Sequence, residues 1–161
     1  AAHEYGGKVV ATVVNRRHAQ RAEEYGTDAL LVTGHEAAAH GGDVTSLVLV
    51  PSIVDAVKIP VIAAGGFADG RGLAAALALG AEGIAMGTRF MTTKESPLHE
   101  TFKKLSIEKG VTDTLYSPRF DGLPCRVLDT PAARKAIRKG LDLPAAFLRR
   151  SPVLSSSAIT P

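Results

Sequence analysis

Two small-residue pairs in this 161-residue chain are placed to bind an anion. Gly65-Gly66 closes the apolar run Pro60-Val-Ile-Ala-Ala64, and Gly87-Thr88 closes Gly83-Ile-Ala-Met86. Small residues that end a short strand just before a helix leave backbone N–H groups open to a phosphate, because no bulky side chain intervenes. The Thr88 hydroxyl adds a donor. A bare tight turn would explain Gly65-Gly66 alone, but the matching pair at the next strand end favours a cradle for a phosphorylated cofactor. A third feature is the glycine-bounded loop over residues 34–42, which carries His35 and His40 and follows another apolar strand. Cradle and histidine loop are expected on one face. Neither Cys nor a third His stands near the two histidines at ligand spacing, so no metal site is expected.

Hydrophobic patterning supplies the elements that position these loops. Continuous β-branched or apolar runs predict strands over 8–14, 28–33, 60–64 and 83–86, of the kind buried on both faces of a parallel sheet. Helices are expected over 15–25, with Ala19, Ala22 and Tyr25 inward, over about 49–57, with Val50, Val54 and Val57 inward, and over 69–79. Asp69 is the expected N-cap of the last, and Gly26 and Gly80 are stops. Four strand–helix repeats of about 25 residues give the grammar of an α/β fold with right-handed crossovers. A doubly wound dinucleotide fold would carry Gly-x-Gly-x-x-Gly after its first strand, and this chain has none. The expectation is a TIM (β/α)8 barrel, of which residues 1–92 form the C-terminal four β/α units. Residues 93–150 form a helical and irregular extension, with helices over 96–108 and 132–139, and 151–161 a disordered Ser/Pro tail.

Composition narrows the function classes. The formal charge is +3, but the basic residues are expected on separate solvated helix faces: Arg16, Arg17 and Arg21; Lys103, Lys104 and Lys109; Arg134, Lys135, Arg138 and Lys139. They form no stripe interleaved with aromatics, which make up only 5% of the chain, so a nucleic-acid surface is not expected. No run of eighteen apolar residues predicts a membrane span. The single cysteine, Cys125, permits no intramolecular disulfide, reads as incidental, and suits a reducing, cytoplasmic setting.

Four ordered motifs carry a resemblance: Gly34-x-Glu-Ala-x-x-His-x-Gly, Ile59-Pro-Val-Ile-Ala-Ala-Gly-Gly-Phe-Ala-Asp-Gly-Arg-Gly72, Ala75-Ala-Leu-Ala-Leu-Gly-Ala81 and Met86-Gly-Thr-Arg-Phe90. Together they resemble the nitronate monooxygenase (2-nitropropane dioxygenase-like) family of FMN-dependent barrels. The resemblance implies FMN as cofactor and oxidation of alkyl nitronates with O2 to carbonyl compounds and nitrite. Its alternatives are an FMN-dependent NAD(P)H:quinone or enoyl-acyl-carrier reductase, and an inactive truncated half-barrel, whose open edges would favour a homodimer. By the same resemblance Ala38, Ala64, Gly65, Gly66, Gly87 and Thr88 contact FMN, His40 is the catalytic histidine and Glu36 braces its loop. A histidine bonded to backbone is the competing reading of His40. The chain departs from the family in Ala38-Ala39 before the histidine, where Gly-Gly is frequent, and in Gly41 after it. The first four units, expected to supply further flavin contacts, lie outside this sequence.

Overall fold

A computed structural model of the chain describes residues 1–38 and 40–139. Its contacts divide into two units, Ala1–Ala37 with Gly41–Gly87, and Ala38–His40 with the chain from Thr88 onward. The tail expected to be disordered lies outside the described residues.

In the first unit a 3-10 turn, Ala2–Tyr5, precedes β1 (Val10–Val13), α1 (Arg16–Glu24), β2 (Ala29–Thr33), α2 (Ser46–Val54), β3 (Val61–Ala64), α3 (Gly70–Ala78) and β4 (Gly83–Ala85). All neighbouring strands pair in parallel, in the order β1-β2-β3-β4. A doubly wound sheet reverses its strand order at a switch point. Here every strand adds to the same side of its predecessor, the order of a sheet that curls into a barrel.

Strand register decides the core. Ala11, Leu30, Val61 and their registered neighbours Val13, Val32 and Ala63 share one face of the sheet. Of these, Leu30, Val32 and Ala63 are fully buried, together with Ala19 of α1, Val50 and Ile53 of α2 and Ala76 of α3. Each large apolar side chain buried this way stabilises by about 1.5–3 kcal/mol. The opposite face, with Thr12, Leu31 and Ile62 in register, is only partly covered. β1 and β4 each have an unpaired edge in this sheet.

Several expectations need correction. The second helix starts at Ser46 and not near 49, and it runs through Pro51. Burial of Leu49, Val50 and Ile53 outweighs the backbone hydrogen bond that an internal proline forfeits. Val54 and Val57 pack only partly against that core. Tyr25 is 78% exposed, because α1 ends at Glu24 and its ring lies outside the buried stripe.

The second unit contains α4 (Thr88–Met91), α5 (Glu100–Glu108), β5 (Thr114–Ser117), β6 (Cys125–Leu128) and α6 (Pro131–Lys139). The stretch expected to be irregular is an antiparallel hairpin, β5 against β6, with Ser117 opposite Cys125. The helix expected over 96–108 begins at Glu100, four residues late, after the His99 ring accepts from Thr101 N. Lys103 was assigned to a solvated face but is 4% exposed. Its stem is covered while Nζ reaches Glu100 Oε1 at 2.9 Å and the Lys94 carbonyl at 3.5 Å. The other basic residues of α1 and α6 are exposed as expected. No helix among the described residues is long and apolar enough to cross a membrane.

Asp69 behaves as the expected cap, accepting from Arg71 N and Gly72 N. Its carboxyl is lowered from the ordinary 3.8 to about 2, first by the Arg71 guanidinium and then by the Arg71 backbone N–H. A depressed folded value stabilises the native state above 3.8 and is lost as pH falls through about 2. Asp69→Ala should lower the melting temperature at neutral pH and flatten its dependence on pH between 3.8 and 2. An unchanged slope in that window, measured by thermal melts, would remove Asp69 from the acid response.

Candidate functional site

In the first unit β3 delivers the chain into Gly65 and Gly66, whose φ angles are +99° and +79°. Only glycine adopts these without strain. A Cβ at Gly65 would stand 3.1 Å from Ala37 N and from Gly34 O, and one at Gly66 3.3 Å from Glu36 Cβ. The fold therefore already requires both glycines, so their presence does not by itself indicate a ligand.

The histidine loop is tied to this strand end through Glu36 and Ser46. Glu36 accepts from Ser46 N at 2.9 and 3.1 Å and from Ser46 Oγ at 3.0 Å. Ser46 Oγ also lies 2.9 Å from Gly65 O. A carboxylate placed on the first residue of α2 satisfies an otherwise unpartnered helix N–H and complements the helix dipole. Gly34 N donates to Ala64 O at 3.0 Å, and His35 Nδ1 pairs with Gly42 O at 3.1 Å. His35 thus braces the loop with its ring. Ser46 is 4% exposed, so Ser46→Ala should cost about 1–3 kcal/mol by leaving Glu36 and Gly65 O short of a donor. A urea midpoint equal to that of the parent would show that the network holds nothing.

Gly87 differs from the other two. It follows β4, it is exposed, and a Cβ built there meets nothing within 4 Å. Its backbone is outside the left-handed region. Nothing in the fold of this unit demands glycine at that position, whereas a phosphate approaching the strand end would. Ala64 and Ala85 are registered partners, so the chain leaves β3 and β4 at neighbouring points. These residues fit a phosphate cradle: a Cβ could be accommodated at Gly87, and its absence leaves room for a ligand.

The remaining candidates belong to the second unit. Ala38 is exposed and contributes a methyl group; Thr88 is the exposed first residue of α4. His40 is also exposed, and its Nε2 lies 2.7 Å from Asp121 Oδ2. The partner is a carboxylate and not backbone, which departs from the competing reading. Asp121 lies in the turn between β5 and β6, where its Oδ1 accepts from Leu123 N at 3.1 Å and Gly122 N donates to Pro118 O at 3.0 Å. Both carboxylate oxygens are engaged, so the acceptor is fixed in place.

A carboxylate can only accept from an imidazole nitrogen. With Nε2–H donating to Asp121, the Nδ1 of neutral His40 keeps its lone pair and is the basic atom. Cys125, first residue of β6, is 5% exposed, and its Sγ lies 3.7 Å from Ser117 O. Burial, and next the charge of Asp121, push its thiol above the ordinary range. Cys125 is thus a core residue beside the histidine, not a loop thiol.

Asp121 escaped the sequence argument. Phe120-Asp-Gly-Leu-Pro124 signals a turn, but nothing local says that its acid meets a histidine 81 positions earlier.

The family model for nitronate monooxygenase matches residues 1–149. The (3aS,4S,5R,7aS)-5-hydroxy-7a-methyl-1-oxo-octahydro-1H-indene-4-carboxyl-CoA dehydrogenase of Rhodococcus jostii is 49% identical over 125 residues, which cover 78% of this chain and 35% of that one. FabK from Thermotoga maritima is 42% identical with a TM-score of 0.82, covering 94% of this chain and 51% of that one. The nitroalkane oxidase of Streptomyces ansochromogenes is 30% identical with a TM-score of 0.74, over 82% and 41% of the two chains. This chain therefore spans about a third of the curated relative's length. These structural neighbours are TIM-barrel, flavin-dependent enzymes. The ordered parallel strands, the strand-end glycines and the family match agree: the chain belongs to the nitronate monooxygenase family of oxidoreductases.

Proposed function

We propose that residues 1–92 are the C-terminal four β/α units of an FMN-dependent (β/α)8 barrel, with 93–150 as its extension. We further propose that the assembled enzyme oxidises alkyl nitronates with O2 to carbonyl compounds and nitrite. The sequential strand order, the two open strand edges and the share of the relatives that the chain spans support the first statement. The open edges are where the remaining strands, or a second copy in a homodimer, would pair.

In this reading Gly65, Gly66 and Gly87, with Ala64, hold the FMN phosphate through backbone N–H groups. Thr88 offers its hydroxyl and Ala38 leaves room at the histidine loop. FMN would supply the electron acceptor that takes electrons from the substrate and passes them to O2. The observation that carries the chemistry is the 2.7 Å bond from His40 Nε2 to Asp121 Oδ2. It leaves Nδ1 to take the α-proton of a neutral nitroalkane. The imidazolium so formed keeps that proton on Nδ1 as a donor to a nitronate oxygen, while Asp121 balances its charge.

A second reading has one specific support, the 49% identity to a dehydrogenase of a carboxyl-CoA thioester against 30% to a nitroalkane oxidase. The carbon next to a thioester carbonyl is acidified much as one next to a nitro group is, so the same Nδ1 could move its proton. In that case NAD(P)H or its oxidised form, or a quinone, would replace O2 as redox partner. Incubation with an alkyl nitronate under air decides between them. Equal amounts of nitrite and carbonyl product support the first reading; rapid turnover of an acyl-CoA thioester without nitrite supports the second and refutes the first.

A further inference from the structure

We propose that His40, Asp121 and Cys125 form a site for a zinc-class divalent transition metal, and that the metal switches off the imidazole as a base. One ring nitrogen of His40, a carboxylate oxygen of Asp121 and Cys125 Sγ all lie within 4.8 Å of one another, and Nε2 is the nitrogen that faces Asp121, 2.7 Å from its Oδ2. In a tetrahedral zinc site, bonds of 2.0–2.3 Å place neighbouring donors about 3.4–3.7 Å apart. The trio therefore needs adjustments no greater than about an ångström, chiefly a widening of the His40–Asp121 hydrogen bond as the cation replaces the shared proton.

The donor set selects the ion. One nitrogen, one oxygen and one sulfur suit zinc and its neighbours, whereas magnesium and calcium require oxygens. The supports are partly rigid: Cys125 is fixed in β6 by burial, and the Asp121 turn is closed by its own bonds to Leu123 N and from Gly122 N to Pro118 O. His40 and Asp121 are exposed, which leaves a path for the ion and an open fourth position for water. No local spacing signals this trio, since Cys125 and Asp121 reach His40 only through the fold.

Binding balances simply. The Cys125 thiol releases its proton to solvent and coordinates as thiolate. The metal takes the Nε2 lone pair, so the imidazole proton moves to Nδ1, and the atom assigned above as the base becomes an N–H donor. Metal binding itself is independent of the proposed reaction; only its inhibitory consequence rests on that reading.

Cobalt(II) is the probe. Titrated into the 161-residue chain, one equivalent is expected to produce a thiolate-to-cobalt charge-transfer band together with the visible bands of a four-coordinate ion, both abolished by zinc. Cys125→Ser should remove the charge-transfer band. His40→Ala, a change at an exposed side chain, should weaken cobalt binding about tenfold or more with unchanged circular dichroism. Absence of the thiolate band, or a band unaltered by His40→Ala, overturns the site. Zinc that binds the assembled enzyme without slowing turnover would leave the site standing and overturn the assignment of Nδ1 as base.

Discussion

Replacing His40 by alanine in the assembled oxidoreductase lowers kcat by about 10²- to 10⁴-fold, the usual contribution of a positioned general base. The same change leaves flavin content and unfolding midpoint near those of the parent. The side chain is exposed and its hydrogen bond goes to a surface turn, so its removal empties no core. The loss should fall on neutral nitroalkanes more than on preformed nitronates, because only the former need a proton removed. Asp121→Asn should be milder, since an amide oxygen can still accept from Nε2–H but no longer balances the imidazolium charge. Steady-state rates with both substrate forms check this. A His40→Ala enzyme within about threefold of the parent on a neutral nitroalkane would refute the assignment.

The second large effect is expected at Gly87. Because a Cβ there meets nothing within 4 Å, Gly87→Val should leave the unfolding midpoint unchanged. A branched side chain at a strand end that approaches phosphate would block one or more charge-assisted N–H bonds, each worth about 1.5–3 kcal/mol. That predicts FMN binding weaker by about tenfold to a hundredfold. Gly65→Ala serves as the contrasting variant. With φ at +99° and backbone atoms 3.1 Å from the new methyl, it should lose about 1–3 kcal/mol of stability whatever it does to FMN. Equal FMN affinity in Gly87→Val and the parent would mean that Gly87 is glycine for some reason other than a phosphate.

What the sequence made legible was local. Asn15 and Asp69 cap the helices they were expected to start, Gly26 and Gly80 follow the helices they were expected to stop, and the four apolar runs became paired parallel strands. These are decided by hydrogen bonding within a few residues and by apolar periodicity. The strand-end glycines and the histidine loop could be read for the same reason.

The errors are tertiary. The second helix was expected from about residue 49, yet it begins at Ser46, and burial of Leu49, Val50 and Ile53 carries it through Pro51. Lys103 was read by its charge, but its carbon stem is covered while Glu100 meets its head. The β5–β6 hairpin was hidden by short strands around a long Pro- and Gly-containing turn, with alternation too brief to register. Asp121 and Cys125 were invisible for a related reason: residues remote in sequence meet at His40 only after that hairpin forms. The most chemically informative contact in the second unit was thus the least accessible to sequence reasoning.

The central claim, that the ends of β3 and β4 cradle a flavin phosphate, is tested most directly by titrating the 161-residue chain into FMN and following flavin fluorescence. The account predicts saturable quenching with one FMN per chain, weakened in Gly87→Val and unaffected by His40→Ala. Quenching that fails to saturate, or that is identical in the Gly87→Val variant, would contradict it.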